Sequence, residues 1–187
     1  MSNLVSQKDA IAEVLELYPA RPFVVADIGS QSAWLKAASH DARNLYVSGP
    51  MGLASSVALG VAVCRPNERV LAICGDGALA MNLSSLATIA GSGVTNLDVL
   101  VIDNGIYEYT ASVPVPTRSL DWEALGRVIF EDGTCFALEG LDATAWNAAP
   151  GPRMVVAKVA PSGSAAPGLG ISPAQIRISF LEAARLA

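Results

Sequence analysis

The chain has 187 residues, of which 52% are hydrophobic and 16% charged, and 12 basic against 17 acidic residues give a net charge of -5. This apolar fraction excludes a disordered chain, and the length suffices for a core that needs no disulfides. Its few, scattered basic residues exclude an extended nucleic-acid-binding surface, and neither a membrane span nor a signal peptide is predicted. We expect a cytoplasmic protein whose three cysteines, Cys64, Cys74 and Cys135, are buried thiols.

Alternating helix and strand patterns follow one another along the chain. Ser6 and Asp9 form a capping box ahead of the first helix, and Ser172-Pro173 opens the last. The predicted helices cover residues 4–18, 32–38, 53–64, 78–90, 121–130 and 172–186, and the predicted strands cover 23–28, 70–74, 97–102, 134–138 and 154–160. We expect the helix at 53–64, which has no polar face, to be buried on most sides.

Continuously apolar strands that alternate with helices are typical of a parallel sheet covered on both faces. The sequence therefore predicts a single α/β domain over residues 1–187, with three layers and a mostly parallel sheet of five or six strands. Residues 161–170 are rich in Gly, Pro, Ser and Ala, which predicts a flexible loop. Such a loop could be a plain linker or a mobile lid over a ligand site.

Side chains suited to acid–base or nucleophilic catalysis are scarce. The sequence contains one histidine, His40, and three lysines. His40 lies in a polar stretch, 39–43, that predicts a solvated loop, which disfavours both a Ser-His-Asp system and a zinc site. If the protein is an enzyme, we expect a cofactor to supply the reactive group.

Two polar residues, Asp76 and Asn104, each follow a predicted apolar strand, and a helix lies between them in sequence. Neighbouring parallel strands end side by side, about 4.8 Å apart, so the carboxylate and the amide oxygen can reach one metal ion. Such hard oxygen ligands suit Mg²⁺. Gly75 and Gly77 allow a ligand to approach the backbone closely where a helix begins, which favours a diphosphate. Gly75-Asp76-Gly77 or Asp103-Asn104-Gly105 alone would be weak evidence for such a site, but the two motifs in this order, each after an apolar strand, are strong evidence.

These residues resemble a known fingerprint. The segment GDGALAMNLSSLATIAGSGVTNLDVLVIDNGIYEYT (75–110) is similar to that of thiamine-diphosphate enzymes. SGPMGLASSVALGVAV (48–63) is similar to the preceding segment of the decarboxylases that use this cofactor. ISPAQIRISFLEAARL (171–186) resembles the terminal helix of the sulfopyruvate and phosphonopyruvate decarboxylases. The chain as a whole resembles the β-type, diphosphate-binding subunit of that family, which implies the thiamine-diphosphate-binding fold.

The resemblance also implies roles for individual residues. Asp76, the side chain of Asn104 and the carbonyl of Ile106 would bind Mg²⁺. It also implies that the cofactor is bound by Gly75, the amides of Gly77 and Ala78, the carbonyl of Gly49 and Tyr107, with Met51 wedged between the two rings of the cofactor. Glu108 and Thr110 are implied as candidates to line the substrate pocket. Without the fingerprint, Met51 would be an ordinary core residue, Gly49-Pro50 a turn and residues 108–109 a solvated loop. Asp103 stands where many members of the family have Asn.

Members of this family use a glutamate on a pyrimidine-binding domain to activate the cofactor, and no residue of this chain is placed for that role. The resemblance therefore implies a separate, α-type partner subunit in a hetero-oligomer built on dimers, acting on a small 2-oxo acid. Other readings remain open: another thiamine-diphosphate carboligase or oxidoreductase subunit, or a non-catalytic regulatory subunit. A Mg²⁺-dependent phosphotransfer domain is disfavoured because such domains need an acidic pair after the first strand or a D-x-D nucleophile, and VVADIGSQS (24–32) has neither.

Overall fold

A computed structural model describes residues 4–130, 133–162 and 166–186. Within these ranges the helices are α1 Gln7–Glu16, α2 Ser30–Ala38, α3 Ala54–Cys64, α4 Asp76–Met81, α5 Ser84–Gly91, α6 Trp122–Ile129, α7 Ala143–Ala148 and α8 Pro173–Leu186. The strands are β1 Phe23–Ala26, β2 Asn44–Tyr46, β3 Val70–Gly75, β4 Leu97–Asp103, β5 Ile106–Tyr107, β6 Val113–Pro114, β7 Cys135–Ala137 and β8 Arg153–Lys158.

One parallel sheet of six strands, in the order β2-β1-β3-β4-β8-β7, forms the centre of the fold. Successive residues of each strand point to opposite faces. Ala72 and Cys74 pack with α3, α5 and α6 on one face, whereas Leu71 and Ile73 pack with α1, α2 and α7 on the other. The predicted three-layer α/β architecture with a parallel sheet is therefore confirmed.

Three features of the fold are missing from the sequence prediction. β2 follows a polar stretch and begins with Asn44, yet Asn44 is only 3% exposed because its side chain bonds to Arg21, Ser39 and Tyr46. The short helix α7 and the small antiparallel hairpin of β5 and β6 lie in segments whose apolar pattern is too brief to predict an element.

The predicted helix 78–90 is two helices. α4 runs from Asp76 to Met81 and is followed by Asn82, which has φ -135° and ψ 45°, and α5 begins at Ser84. Asn82 leaves the helical conformation because its side-chain amide donates hydrogen bonds to the carbonyl of Gly52 at 2.9 Å and to the hydroxyl of Ser56 at 3.0 Å. The break therefore joins this segment to the start of α3.

Two expectations about burial are wrong. Cys64 is exposed, because it is the last residue of α3, although Cys74 and Cys135 are buried as predicted. α3 itself is buried along one stripe that includes Ala58 and Ala62, while Val63 on its other side is 61% exposed. Among the helices of the described ranges, none is long and apolar enough to cross a membrane.

A buried ionic cluster lies at the amino-terminal ends of the strands β4 and β8. Asp98 on β4 is fully buried and pairs in register with Arg153 on β8, whose Nε lies 2.7 Å from Asp98 Oδ1. Arg69 also bonds to both carboxylate oxygens, and the hydroxyl of Tyr18 donates to Oδ2 at 2.8 Å. Burial and the adjacent Asp98 raise the pKa of Tyr18, so its hydroxyl stays protonated as the donor. The cluster stands at the end of the sheet opposite to the cavity described next.

Candidate active site

A cavity of about 490 Å³ opens at the carboxyl ends of β1, β2 and β3 and beside the loop after β4. From β1 the chain forms β2 on one side and then crosses to β3 on the other, and such a switch in strand order leaves a crevice where α/β folds bind ligands. Ten residues singled out from the sequence line this cavity: Gly49, Met51, Gly75, Asp76, Gly77, Ala78, Ile106, Tyr107, Glu108 and Thr110.

Asp76 is the acidic residue of the cavity floor. It is 2% exposed, and its Oδ2 accepts a hydrogen bond from the amide of Gly105 at 3.0 Å. Burial raises its pKa to about 6; the amides of Gly77 and Gly105 lower the pKa, and the neighbouring Asp103 carboxyl raises it. Asp76 is buried and Asp103 beside it is half-buried, and two neighbouring carboxyl groups favour a bound cation. The chemistry of the donors therefore fits a metal ion at this point.

Asn104 lies beside the cavity but is not one of its lining residues. It follows β4, which pairs with β3 so that Ile102 stands opposite Gly75. The side-chain oxygen of Asn104 accepts the amide hydrogen of Ile106 at 3.1 Å, closing a tight turn. The structure thus brings together the carboxylate, the amide oxygen and the turn at Ile106, as the strand order predicts. No cluster of three or more His, Cys, Asp or Glu side chains suited to a metal occurs in the described part of the chain.

Gly77 forms a close contact that no other residue allows. A Cβ at this position would lie 2.3 Å from Cε1 of Tyr107 and 2.9 Å from the side chain of Val115. The side chains of Tyr107 and Val115 therefore pack directly on the backbone of the first turn of α4, where Gly77 and Tyr107 both line the cavity. The first residues of α2 (Ser30 and Gln31) and of α4 (Asp76, Gly77 and Ala78) line the cavity, and the amino-terminal end of a helix favours anions such as phosphates.

The hairpin of β5 and β6, which follows the turn at Asn104, forms the rim of the cavity. Glu108 is half-buried, and its Oε1 accepts the amide hydrogen of Ser162 at 2.8 Å, while the hydroxyl of Thr110 contacts the carbonyl of Tyr107. Tyr109 is 64% exposed and its ring packs on Gly29. Residues 108–109 are thus part of the cavity wall.

The predicted loop 161–170 is only partly described, because residues 163–165 lie outside the described ranges. On one side of that gap Ser162 is held by Glu108. On the other side the carbonyl of Leu169 accepts a hydrogen bond from Lys36, and Leu169 lines the cavity. The loop therefore borders the site, and its role as a lid stays a prediction.

Sequence reasoning missed the contribution of the loop after β1 and of the start of α2. Gly29, Ser30 and Gln31 line the cavity, and a Cβ at Gly75 would lie only 2.7 Å from the side-chain amide of Gln31. The available signal was Gly29 at the end of an apolar strand, but nothing in the sequence places β1 beside β3. His40 is exposed and bonds to Tyr46, as expected for a loop histidine outside the site.

Comparison with known proteins agrees with this geometry. Residues 27–122 match the family "Thiamine pyrophosphate enzyme, C-terminal TPP binding domain". The chain is 31% identical over 179 residues to sulfopyruvate decarboxylase subunit beta of Methanocaldococcus jannaschii, covering 94% of this chain and 95% of that protein. It is 32% identical over 178 residues to phosphonopyruvate decarboxylase of Streptomyces viridochromogenes, covering 91% of this chain but 44% of that protein.

A solved structure, the thiamine diphosphate-dependent 4-hydroxybenzoylformate decarboxylase of Rhodococcus jostii RHA1, has the same fold with a TM-score of 0.70 and 19% identity. The similarity covers 88% of this chain, which spans about a third (34%) of that protein. The family match covers the cavity from the end of β1 to the rim hairpin, so both sequence and fold lead to one assignment. The chain belongs to the thiamine pyrophosphate enzymes.

Proposed function

We propose that the chain is the thiamine-diphosphate- and Mg²⁺-binding subunit of a 2-oxo acid decarboxylase, a carboxy-lyase. The buried carboxylate of Asp76, held between the ends of β3 and β4 beside Asp103, is the observation that carries the proposal. The near full-length similarity to a decarboxylase β subunit supports it. When bound, the cofactor supplies the electron sink that loss of CO₂ from a 2-oxo acid requires.

Residues of the cavity floor and the adjacent Asn104 would hold the metal and the diphosphate. We assign Asp76, the side-chain oxygen of Asn104 and the carbonyl of Ile106 to Mg²⁺, which prefers oxygen ligands. Because Asn104 accepts the amide of Ile106 through one lone pair, its oxygen keeps a second one for the metal. The backbone at 75–78, which lines the cavity next to Gln31, would bind the diphosphate.

The walls of the cavity would orient the rest of the cofactor and the substrate. We assign the carbonyl of Gly49 and the side chain of Met51 to the two rings of the cofactor, with Tyr107 against Gly77. Glu108 and Thr110 on the rim hairpin would border the substrate. Since Glu108 is already bonded to the backbone at Ser162, it would position that segment and exclude water from the site.

We further propose a partner and a substrate class. A separate α-type subunit with the pyrimidine-binding domain would complete the site in a cytoplasmic hetero-oligomer built on dimers. A relative that this chain matches over 95% of its length, from Methanocaldococcus jannaschii, is itself named a subunit, which supports this proposal. The substrate would be a small anionic 2-oxo acid such as sulfopyruvate or phosphonopyruvate, as the names of the relatives suggest.

Calorimetric titration tests the cofactor proposal. Asp76→Ala should abolish Mg²⁺-dependent binding of thiamine diphosphate, whereas Glu182→Ala on the exposed side of α8 should leave it unchanged. Unchanged affinity in Asp76→Ala would contradict the metal assignment.

An activity assay tests the partner. Decarboxylation of the 2-oxo acid is measured for the chain alone and for the chain together with a pyrimidine-domain subunit, and turnover by the chain alone would contradict a two-subunit site.

A further inference from the structure

Asp27 is a buried acid that the proposed cofactor contacts do not use. It follows β1, is fully buried, and is not a lining residue of the cavity. Its two oxygens lie 3.0 and 3.1 Å from the amide nitrogen of Gly52, and Oδ1 also accepts the amide hydrogen of Ile28 at 3.1 Å. In the described ranges no basic side chain forms an ion pair with it.

Backbone amides therefore meet the charge of Asp27. Burial raises the pKa of Asp27, while the amides of Gly52 and Ile28, together with those of Ala54 and Leu53 at the start of α3, lower it. A buried acceptor that faces several amides fixes their positions, because any displacement leaves a charge without partners in a medium of low dielectric constant. Asp27 thus connects the end of β1 rigidly to the turn at residues 49–52.

The same turn is held on its other sides. Gly52 has φ +87°, and a Cβ there would lie 2.7 Å from the carbonyl oxygen of Ala78 in the first turn of α4. The side-chain amide of Asn82 donates to the carbonyl of Gly52 at 2.9 Å. Gly52 is therefore clamped from β1, from α4 and from the break after α4, and the residues next to it in the turn, Gly49 and Met51, face the cavity.

We infer that Asp27 is a positioning residue for the cofactor: by holding the amide of Gly52 it sets where Met51 and the carbonyl of Gly49 stand in the cavity. The inference rests on the proposed function, because it concerns the rings of the cofactor that those two residues would contact. A purely structural cap of α3 would have a different consequence. It would change the stability of the whole domain without separating one part of the cofactor from another.

Two probes make this separation measurable. Thiamine diphosphate with Mg²⁺ reports on the turn and the cavity floor together, whereas inorganic pyrophosphate with Mg²⁺ reports on the floor alone. Asp27→Asn keeps the side-chain volume but replaces one accepting oxygen with an NH₂ group that faces backbone amides. We expect it to weaken thiamine diphosphate binding on the order of tenfold, the cost of about one charge-assisted hydrogen bond, and to leave pyrophosphate binding unchanged.

Matched variants complete the experiment, which uses the full chain together with any partner that co-purifies with it. Asp98→Asn alters an equally buried carboxylate at the opposite end of the sheet, so it should change both affinities by the same factor or neither. Asn82→Ala loosens the turn from the other side and should reproduce the selective loss even if Asp27→Asn fails to fold.

The outcomes distinguish the two proposals. If the wild-type protein binds neither probe, the proposed function is overturned, and this inference with it. If the wild-type protein binds both probes but each turn variant loses them equally, or loses neither, the positioning role alone is overturned. Selective loss of thiamine diphosphate in the turn variants, with both affinities shifted equally or not at all in Asp98→Asn, is the result that supports it.

Discussion

Replacing Asp98 with Asn should destabilise the protein strongly. The substitution removes the only carboxylate that contacts Arg153 within the described ranges, and Arg153 is 3% exposed, so its guanidinium cannot turn to water. Breaking a buried ion pair on one side typically costs about 3–5 kcal/mol, because the other charge stays buried without a partner. For a chain of this size that corresponds to a fall in melting temperature of roughly 10 °C.

Urea denaturation followed by circular dichroism measures this loss. Arg69→Gln is the matched control: Arg69 bonds to the same carboxylate, but its side chain is 31% exposed, so its loss should cost only about 1 kcal/mol. Since the cluster lies at the far end of the sheet from the cavity, the folded fraction of Asp98→Asn should still bind the cofactor. A loss below about 1 kcal/mol in Asp98→Asn, or equal losses in the two variants, would refute the reasoning.

Two further predictions concern the backbone and the thiols. Ala111 in the rim hairpin has φ +55°, so Ala111→Gly should stabilise the protein by about 1 kcal/mol. The same change at Ala124 in α6 should destabilise it by a similar amount. Shifts of the melting temperature in the same direction for both variants would contradict this prediction. Burial raises the pKa of Cys135 to about 11 and also raises the pKa of Cys74. Iodoacetamide at pH 8 should therefore alkylate only the exposed Cys64, and modified Cys135 found by mass spectrometry in the folded protein would contradict this prediction.

Local patterns in the sequence were sufficient for much of the fold. The apolar runs at β3, β4 and β8 predict buried parallel strands because such strands are covered on both faces, and the structure confirms them. Short elements escaped this reasoning. β2 has three residues and begins with Asn44, one of whose partners, Arg21, lies 23 residues earlier in the chain. α4 ends before Asn82 because the side chain of Asn82 bonds to Gly52.

The sequence by itself determined that Asp76 and Asn104 lie at neighbouring strand ends. Asp76 and Asn104 each follow a strand of one strand–helix–strand unit, and such a unit places its two strand ends side by side, so no distant contact is needed to predict their proximity. The remaining walls depend on strand order. The turn at 49–52 and the loop after β1 reach the cavity because β1 lies between β2 and β3, an order set by the packing of whole strands and helices. Only the tertiary structure could show that Asp27, a buried residue outside the fingerprint, holds the turn at Gly52.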